Sequence, residues 1–495
     1  MMYGEEKSDS LIVAANLANN PQGAESVERR SGAKGNAEQP HMRRTQSRES
    51  MSQRLSRVRE AAKQRKKERF TALFHLLTAE ALENAFLSLS RKAAAGVDGV
   101  RWKDYAENLK VNIADLHRRL HQGSYRAQPG RRHYIPKADG KQRPLGIASL
   151  EDKIVQYALV KILNAVYEND FMGFSYGFRP GRSQHNALDA LATGLVRTNV
   201  NWVLDADISQ FFDKVSHEWL IRFIEHRIGD QRVIRLIRKW LTAGTSEEGE
   251  WRASEEGTPQ GAVISPLLAN IYLHYVFDLW AYQWRRRHAT GNVVMVRYAD
   301  DIVIGFDKRI DAQCFRIAMQ RRLKEFGLTV HPKKTRLMEF GRFAAENRAS
   351  RGKGKPETFN FLGFTHISGK DRSGRFMLIR KTRRDRMTAT LKAIKDGLRK
   401  RWHYSIPEQG KWLRRVVQGY LNYHSVPGNY PMMRKFRIYV TDLWRRALRR
   451  RSQQDDTTWT KANRLAAVWL PKVRVLHPWP VERFTARHPR QEPGA

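Results

Sequence analysis

The stretch that most limits what this chain can fold into is Val293-Val-Met-Val-Arg-Tyr298-Ala299-Asp300-Asp301-Ile-Val-Ile-Gly-Phe306. Apolar runs rich in β-branched residues lead into Tyr298 and away from Asp301. Each is too short for a typical helix, so both read as strands that meet in a tight turn. Two adjacent carboxylates then sit at the tip of an apolar hairpin. Each raises the free energy of the other's ionised form, and a bound divalent cation removes the conflict. Hard oxygen donors suit Mg²⁺, which takes one or two carboxylates and fills its octahedron with water and phosphate oxygens. An isolated Asp-Asp is common turn chemistry. The flanking strands and the blocks described below favour the metal reading.

The chain has 495 residues, enough for two or three domains and a sizeable core. Its 90 Lys and Arg against 50 Asp and Glu leave a formal net charge of +40, far beyond what solubility requires. This implies a polyanionic partner, foremost nucleic acid. No single amphipathic segment carries the excess, which disfavours a membrane-surface role, and no apolar run approaches transmembrane length. Cys314 is the only cysteine, which excludes intrachain disulfides and a Cys-based zinc site. A reducing cytoplasm, with association to the nucleoid, is the expected location.

Residues 1–50 are polar and aperiodic and read as a disordered tail. A basic helix over 52–69 and an amphipathic region to Arg91 follow, broken by Ala93-Ala-Ala-Gly96-Val-Asp98-Gly99. Asp139-Gly140 between extended segments predicts a hairpin whose Lys137, Lys141 and Arg143 can clamp a triphosphate. Ser149, with Asp152 three residues on, predicts a helix start, and that helix runs to about Asn169. Phe174 to Ser183 interleaves aromatics with Arg179 and Arg182, a pattern suited to stacking on bases and to phosphate contacts.

Val203-Leu-Asp205-Ala-Asp207-Ile-Ser-Gln-Phe211-Phe212-Asp213 is a second apolar run ending in carboxylates. Two-metal phosphoryl transfer needs carboxylates bridging ions roughly 3.5–4 Å apart, and Asp207 with Asp300 and Asp301 can supply them. Phe212, five residues beyond Asp207, is the candidate for a bulky group under the sugar that rejects a 2′-hydroxyl. Gly257-Thr-Pro-Gln260-Gly261 feeds a helix with Ser265 as N-cap and Pro266 as its first residue, running to about His288. Gly261 lets backbone approach a ligand, and Gln260 can read a base edge or minor groove. A helix over 312–326 follows, then Lys333-Lys334, where a lysine can bind or protonate pyrophosphate. The Gly/Arg/Lys segment 346–356 reads as a mobile loop and Phe359-Asn-Phe-Leu-Gly363-Phe as a strand with a bend. Beyond 380 the chain is basic and helical with interleaved Trp and Tyr, a pattern that suits structured RNA.

The ordered blocks Arg143-Pro-Leu, Ser175-Tyr-Gly-Phe-Arg-Pro-Gly-Arg-Ser183, Asp207-(x)₃-Phe-Phe-Asp, Thr258-Pro-Gln-Gly, Tyr298-Ala-Asp-Asp and Phe361-Leu-Gly-Phe resemble those of group II intron-encoded reverse transcriptases and maturases, over about residues 85–450. The resemblance implies an α+β right-hand polymerase with fingers, a palm carrying an antiparallel sheet and a helical thumb. The domains expected are a tail (1–50), an N-terminal helical extension (51–114), fingers and palm (115–367), a thumb and maturase region (368–475) and a C-terminal tail (476–495). It implies two Mg²⁺ ions, with Mn²⁺ as a substitute, on Asp207, Asp300, Asp301 and the backbone carbonyl of Ile208. Phe212, Gln260, Gly261, Lys137, Arg143 and Lys334 would serve the nucleotide, and Arg179, Arg182 and Tyr298 would contact nucleic acid. The Gly96–Gly99 loop resembles an extra N-terminal block of such enzymes.

The partners implied are group II intron RNA, an RNA template with a DNA primer, target DNA and dNTPs. The activity implied is RNA-directed DNA synthesis coupled to intron splicing and mobility. Two other readings stand beside it: a domesticated relative serving phage defence or spacer acquisition, and a splicing factor with an idle polymerase. Many relatives end in an endonuclease with paired cysteines. Here no cysteine follows Cys314, so no endonuclease of its own is expected.

Overall fold

The computed structural model describes residues 50–136, 142–451 and 457–487. The expected tail over 1–49, Lys137, Lys141 and the Asp139-Gly140 turn lie outside the described residues, as does the segment after Arg487.

Eleven strands are described: β1 (Gly130–Pro136), β2 (Gln142–Ile147), β3 (Trp202–Asp207), β4 (Thr245–Glu247), β5 (Glu250–Arg252), β6 (Val293–Tyr298), β7 (Asp301–Phe306), β8 (Arg336–Glu339), β9 (Phe359–Phe361), β10 (Phe364–Lys370) and β11 (Phe376–Thr382). They form three sheets within a largely helical chain. The sheet β6-β7-β3-β8 is antiparallel throughout. Its hairpin β6–β7 pairs Val293 with Phe306 at one end and Tyr298 with Asp301 at the other, so only Ala299 and Asp300 form the loop. The two expected strands and their tight turn are both present. In this sheet β6 and β7 are almost wholly buried, which accounts for their continuous apolar runs.

β1 and β2 pair antiparallel from Arg131–Ile147 to Pro136–Gln142, as the hairpin expectation requires. β4 adds parallel to β1. In the third sheet β9 and β10 join through Leu362 and Gly363, both at positive φ, as the expected bend at Gly363 demands.

The helix starting after Ser149 runs Leu150–Tyr167, and the Ser149 hydroxyl accepts the Asp152 N–H at 3.2 Å. Ser265 is the first helical residue rather than the cap, and its hydroxyl donates to the Pro259 carbonyl at 2.8 Å. The helix expected to reach His288 is interrupted by one π turn, His274–Asp278. The segment 346–356 is not wholly loop: Ala344–Ala349 is helical, and Arg351 pairs with Glu339 on β8. Long helices follow the third sheet, at Arg384–Arg399, Ile406–His424 and Tyr430–Arg449.

Buried apolar side chains form two clusters. The larger reaches from Ala62 to Phe364 and takes in Val426 and Phe484, and the smaller gathers residues between Met387 and Leu470. The terminal helix Pro480–Arg487 packs against the helix Gln184–Arg197, where Arg483 pairs with Asp189. Among the described residues no helix is long and apolar enough to cross a membrane.

Candidate active site

The acidic ends of β3 and β7 meet because the strands are antiparallel neighbours. Asp207 is the register partner of Asp301. Asp300 sits in the two-residue loop beside it, preceded by Ala299 at φ +56°. A positive φ at Ala299 but not at Asp300 is the pattern of a type II′ turn, which ordinarily takes glycine at its first position. Alanine holds it at a cost of roughly 1–2 kcal/mol, so the surroundings must enforce the turn.

The electrostatics are those of crowded carboxylates. Burial, then Asp300, Asp207 and Asp205, pushes the Asp301 carboxyl up to about 7, although its side chain opens onto solvent. Burial and Asp207 raise Asp300 as well. Burial pushes Asp205 up to about 6, against the pull of Arg336. Lys334 donates to Asp207 Oδ2 at 2.7 Å, and this bond raises the lysine. Ile208 is buried and bridges Val330.

Among the described residues no three His, Cys, Asp or Glu side chains are gathered closely enough to cage an ion by themselves. The donors present are hard oxygens on clustered carboxylates that resist ionising together. That chemistry fits Mg²⁺ held by one or two carboxylates and completed by phosphate oxygens.

Asp300 and Asp301 open into a cavity of about 800 Å³. Arg143, Phe212, Gln260, Gly261 and Tyr298 also line it. Phe212 is half-buried, with its ring 6.5 Å from that of Phe178. Gln260 is held from both sides: Arg143 Nε donates to its Oε1 at 3.2 Å, and its Nε2 donates to Asp213 Oδ1 at 2.6 Å. Gly261 has φ +109°, and a Cβ there would lie 2.8 Å from the Gly146 carbonyl oxygen. Its role in this structure is close approach to the neighbouring strand.

Two expectations are corrected. Arg179 and Arg182 do not face outward toward nucleic acid. Arg179 is 4% exposed, pairs with Glu168 at 2.9 Å and donates to the Met172 and Ser175 carbonyls. Arg182 donates to the Gly173 carbonyl at 2.6 Å and lies over the Tyr176 ring. The loop is short of secondary structure, so its carbonyls need donors, and these guanidiniums supply them. Lys334 pairs with Asp207 at 2.7 Å while its side chain stays 63% exposed.

The sequence did not single out Arg383 and Arg386, which line the same cavity together with Tyr423, one of the aromatics interleaved with the basic residues beyond 380. Tyr423 donates to the Leu362 carbonyl at 2.8 Å, tying the helix Ile406–His424 to the β9–β10 bend. The only local signal was that of a basic helix start at 383–386, which says nothing about the wall it faces.

Residues 135–366 match the family of the reverse transcriptase (RNA-dependent DNA polymerase). The protein YkfC of Escherichia coli K12 is 39% identical over 254 residues, which is 45% of this chain and 66% of that protein. The group II intron-encoded protein LtrA of Lactococcus lactis is 37% identical over 223 residues, 44% of this chain and 37% of that protein. A putative COX1/OXI3 intron 1 protein of Saccharomyces cerevisiae is 26% identical over 393 residues, 66% of this chain and 46% of that protein. The chain thus spans 66% or less of the length of each of these relatives. It carries a reverse transcriptase domain of mixed α/β structure with antiparallel sheets. It is similar to group II intron-encoded reverse transcriptases and maturases.

Proposed function

We propose that this protein is an RNA-directed DNA polymerase that extends a primer 3′-hydroxyl with dNTPs, and that it binds intron RNA to assist group II intron splicing and mobility. The observation that carries the reading is one cavity lined by Asp300 and Asp301, by Phe212 and Gln260, and by Arg383 and Arg386. In the layout proposed, 115–367 forms fingers and palm, 368–475 the thumb and maturase region, and 51–114 a helical extension.

Asp207, Asp300 and Asp301 would hold the Mg²⁺ ions, with the backbone carbonyl of Ile208. When bound, these supply charge neutralisation at the phosphates and a lowered pKa for the attacking hydroxyl. In the reaction the primer 3′-oxygen forms a bond to the α-phosphorus while the bond to the pyrophosphate oxygen breaks. Arg143, exposed beside Gln260, offers its guanidinium to the triphosphate. Phe212 fills the space where a 2′-hydroxyl would lie. Lys334, donating to Asp207 Oδ2 at 2.7 Å, orients that carboxylate before substrate arrives. Arg383 and Arg386 neutralise backbone phosphates of the template and primer. The net charge of +40 supports intron RNA as a further partner.

Primer extension on an RNA template with dNTPs and Mg²⁺ tests this. Wild-type protein should extend, and the double variant Asp300→Ala, Asp301→Ala should not. Tight binding of structured RNA with no extension by either protein would overturn the polymerase reading in favour of a splicing factor.

A further inference from the structure

Arg297 lies in the apolar strand β6, one residue before Tyr298, and is fully buried. A buried guanidinium is tolerated only when its five N–H groups all find acceptors. Here all five do. Nε donates to Asp278 Oδ1 at 2.7 Å and Nη2 to Asp278 Oδ2 at 2.6 Å. The second Nη2 hydrogen goes to Ser175 Oγ at 2.6 Å. Nη1 donates to Asn270 Oδ1 at 3.1 Å and to the Ala299 carbonyl at 3.0 Å. Asp278 is also fully buried and is the last residue of the π turn that interrupts its helix.

The last of these bonds grips the strained residue of the carboxylate-bearing turn. The remaining partners tie that grip to three other elements. The Arg297 backbone is held too: its N–H donates to the Phe174 carbonyl at 2.9 Å, and its carbonyl accepts from Tyr176 N–H at 2.8 Å. Asn270 Nδ2 donates to the Gly177 carbonyl at 2.7 Å. Gly177 is pressed against the turn so closely that a Cβ there would sit 2.2 Å from Ala299 N. The turn is therefore clamped by Arg297 on one side and Gly177 on the other, with Asn270 touching both.

We infer that Arg297, anchored by Asp278, is a positioning residue that holds the Ala299–Asp300 turn so that Asp300 and Asp301 stand in place against Asp207. The inference rests on the polymerase reading above. It assigns Arg297 a role beyond packing, because a chemically neutral replacement that packs equally well would leave the Ala299 carbonyl without its donor.

The test is the double variant Arg297→Met, Asp278→Leu, which removes both charges and strands neither. Replacing a buried ion pair with apolar residues of similar volume is often neutral or stabilising, but Ala299 O, Asn270 Oδ1 and Ser175 Oγ lose their donor, so its melting temperature should fall modestly while the protein still folds. Single-turnover dNTP incorporation should fall about a hundredfold, with primer–template and dNTP affinities nearly unchanged. Hydrogen exchange in the ligand-free protein should speed up at 298–301 and not along β3. Ser175→Ala, which deletes one bond and no charge, covers failure of the double variant to fold and should give a smaller loss of the same kind. Wild-type incorporation rates and wild-type exchange at the turn, in whichever variant folds, would overturn the inference alone. An inactive wild-type protein would overturn the polymerase reading and this inference with it.

Discussion

Arginine does opposite work in two regions of this molecule. Around the carboxylate turn, Arg179 and Arg297 face inward and spend their donors on carbonyls and carboxylates. At the start of the helix Arg384–Arg399, Arg383 and Arg386 face the open cavity. The first region uses guanidiniums to build a rigid corner out of irregular chain, because an irregular loop carries backbone groups that helices and sheets would otherwise satisfy. In the second, Arg383 pairs with Asp385 while Arg386 leaves its charge available to a polyanion. Composition alone assigns both sets to nucleic acid, and burial separates them.

Breaking the inward set should be the more damaging. Arg179→Ala breaks a nearly closed ion pair with Glu168 and should destabilise the protein by about 3–5 kcal/mol, measured by chemical denaturation. A variant as stable as wild type would erase the distinction. Arg386→Ala, in the exposed set, should leave stability within about 0.5 kcal/mol. It should weaken primer–template binding and lower the slope of log affinity against log salt by about 1. Loss of stability without loss of salt dependence would place it with the first region.

Phe212→Ala tests the cavity wall between the two regions. Discrimination against rNTPs should relax, read as the ratio of kcat/KM for a dNTP and its rNTP. An unchanged ratio would remove Phe212 from the sugar site.

The smallest effect concerns pH. The Asp301 carboxyl is pushed up to about 7 by burial and its acidic neighbours. An unfolded chain releases that proton near pH 4. Between those values the folded state holds a proton that the unfolded state has lost, so Asp301's contribution to stability falls as pH rises through about 7. Without divalent ions, the melting temperature of Asp301→Asn relative to wild type should therefore climb from pH 5 to pH 8. A flat difference would show that Asp301 titrates normally.

Much of the site was legible because its signals are local. The apolar runs on either side of Tyr298–Asp301 predicted a hairpin, and the structure has it with a two-residue loop. The Ser149 cap and the Gly363 bend follow from single-residue conformational preferences. The inward turn of Arg179 and Arg182 was not legible, because an arginine between aromatics looks the same whether it meets a base or a carbonyl. Nor was the pairing of Lys334 with Asp207 across 127 residues, or the π turn that carries Asp278.

Periodicity and turn chemistry, read along the chain, determined the strands, the helix starts and the acidic strand ends. They did so because burial of one face and the φ preferences of single residues act over a few positions. Only the tertiary structure decided which charges are partners. It set Asp207 beside Asp301 by strand register, closed the cavity with Arg383 and Arg386, and buried Arg297 with all five donors used. Those outcomes depend on which distant segments pack together, and a buried ion's worth is set by the acceptors that packing brings within reach.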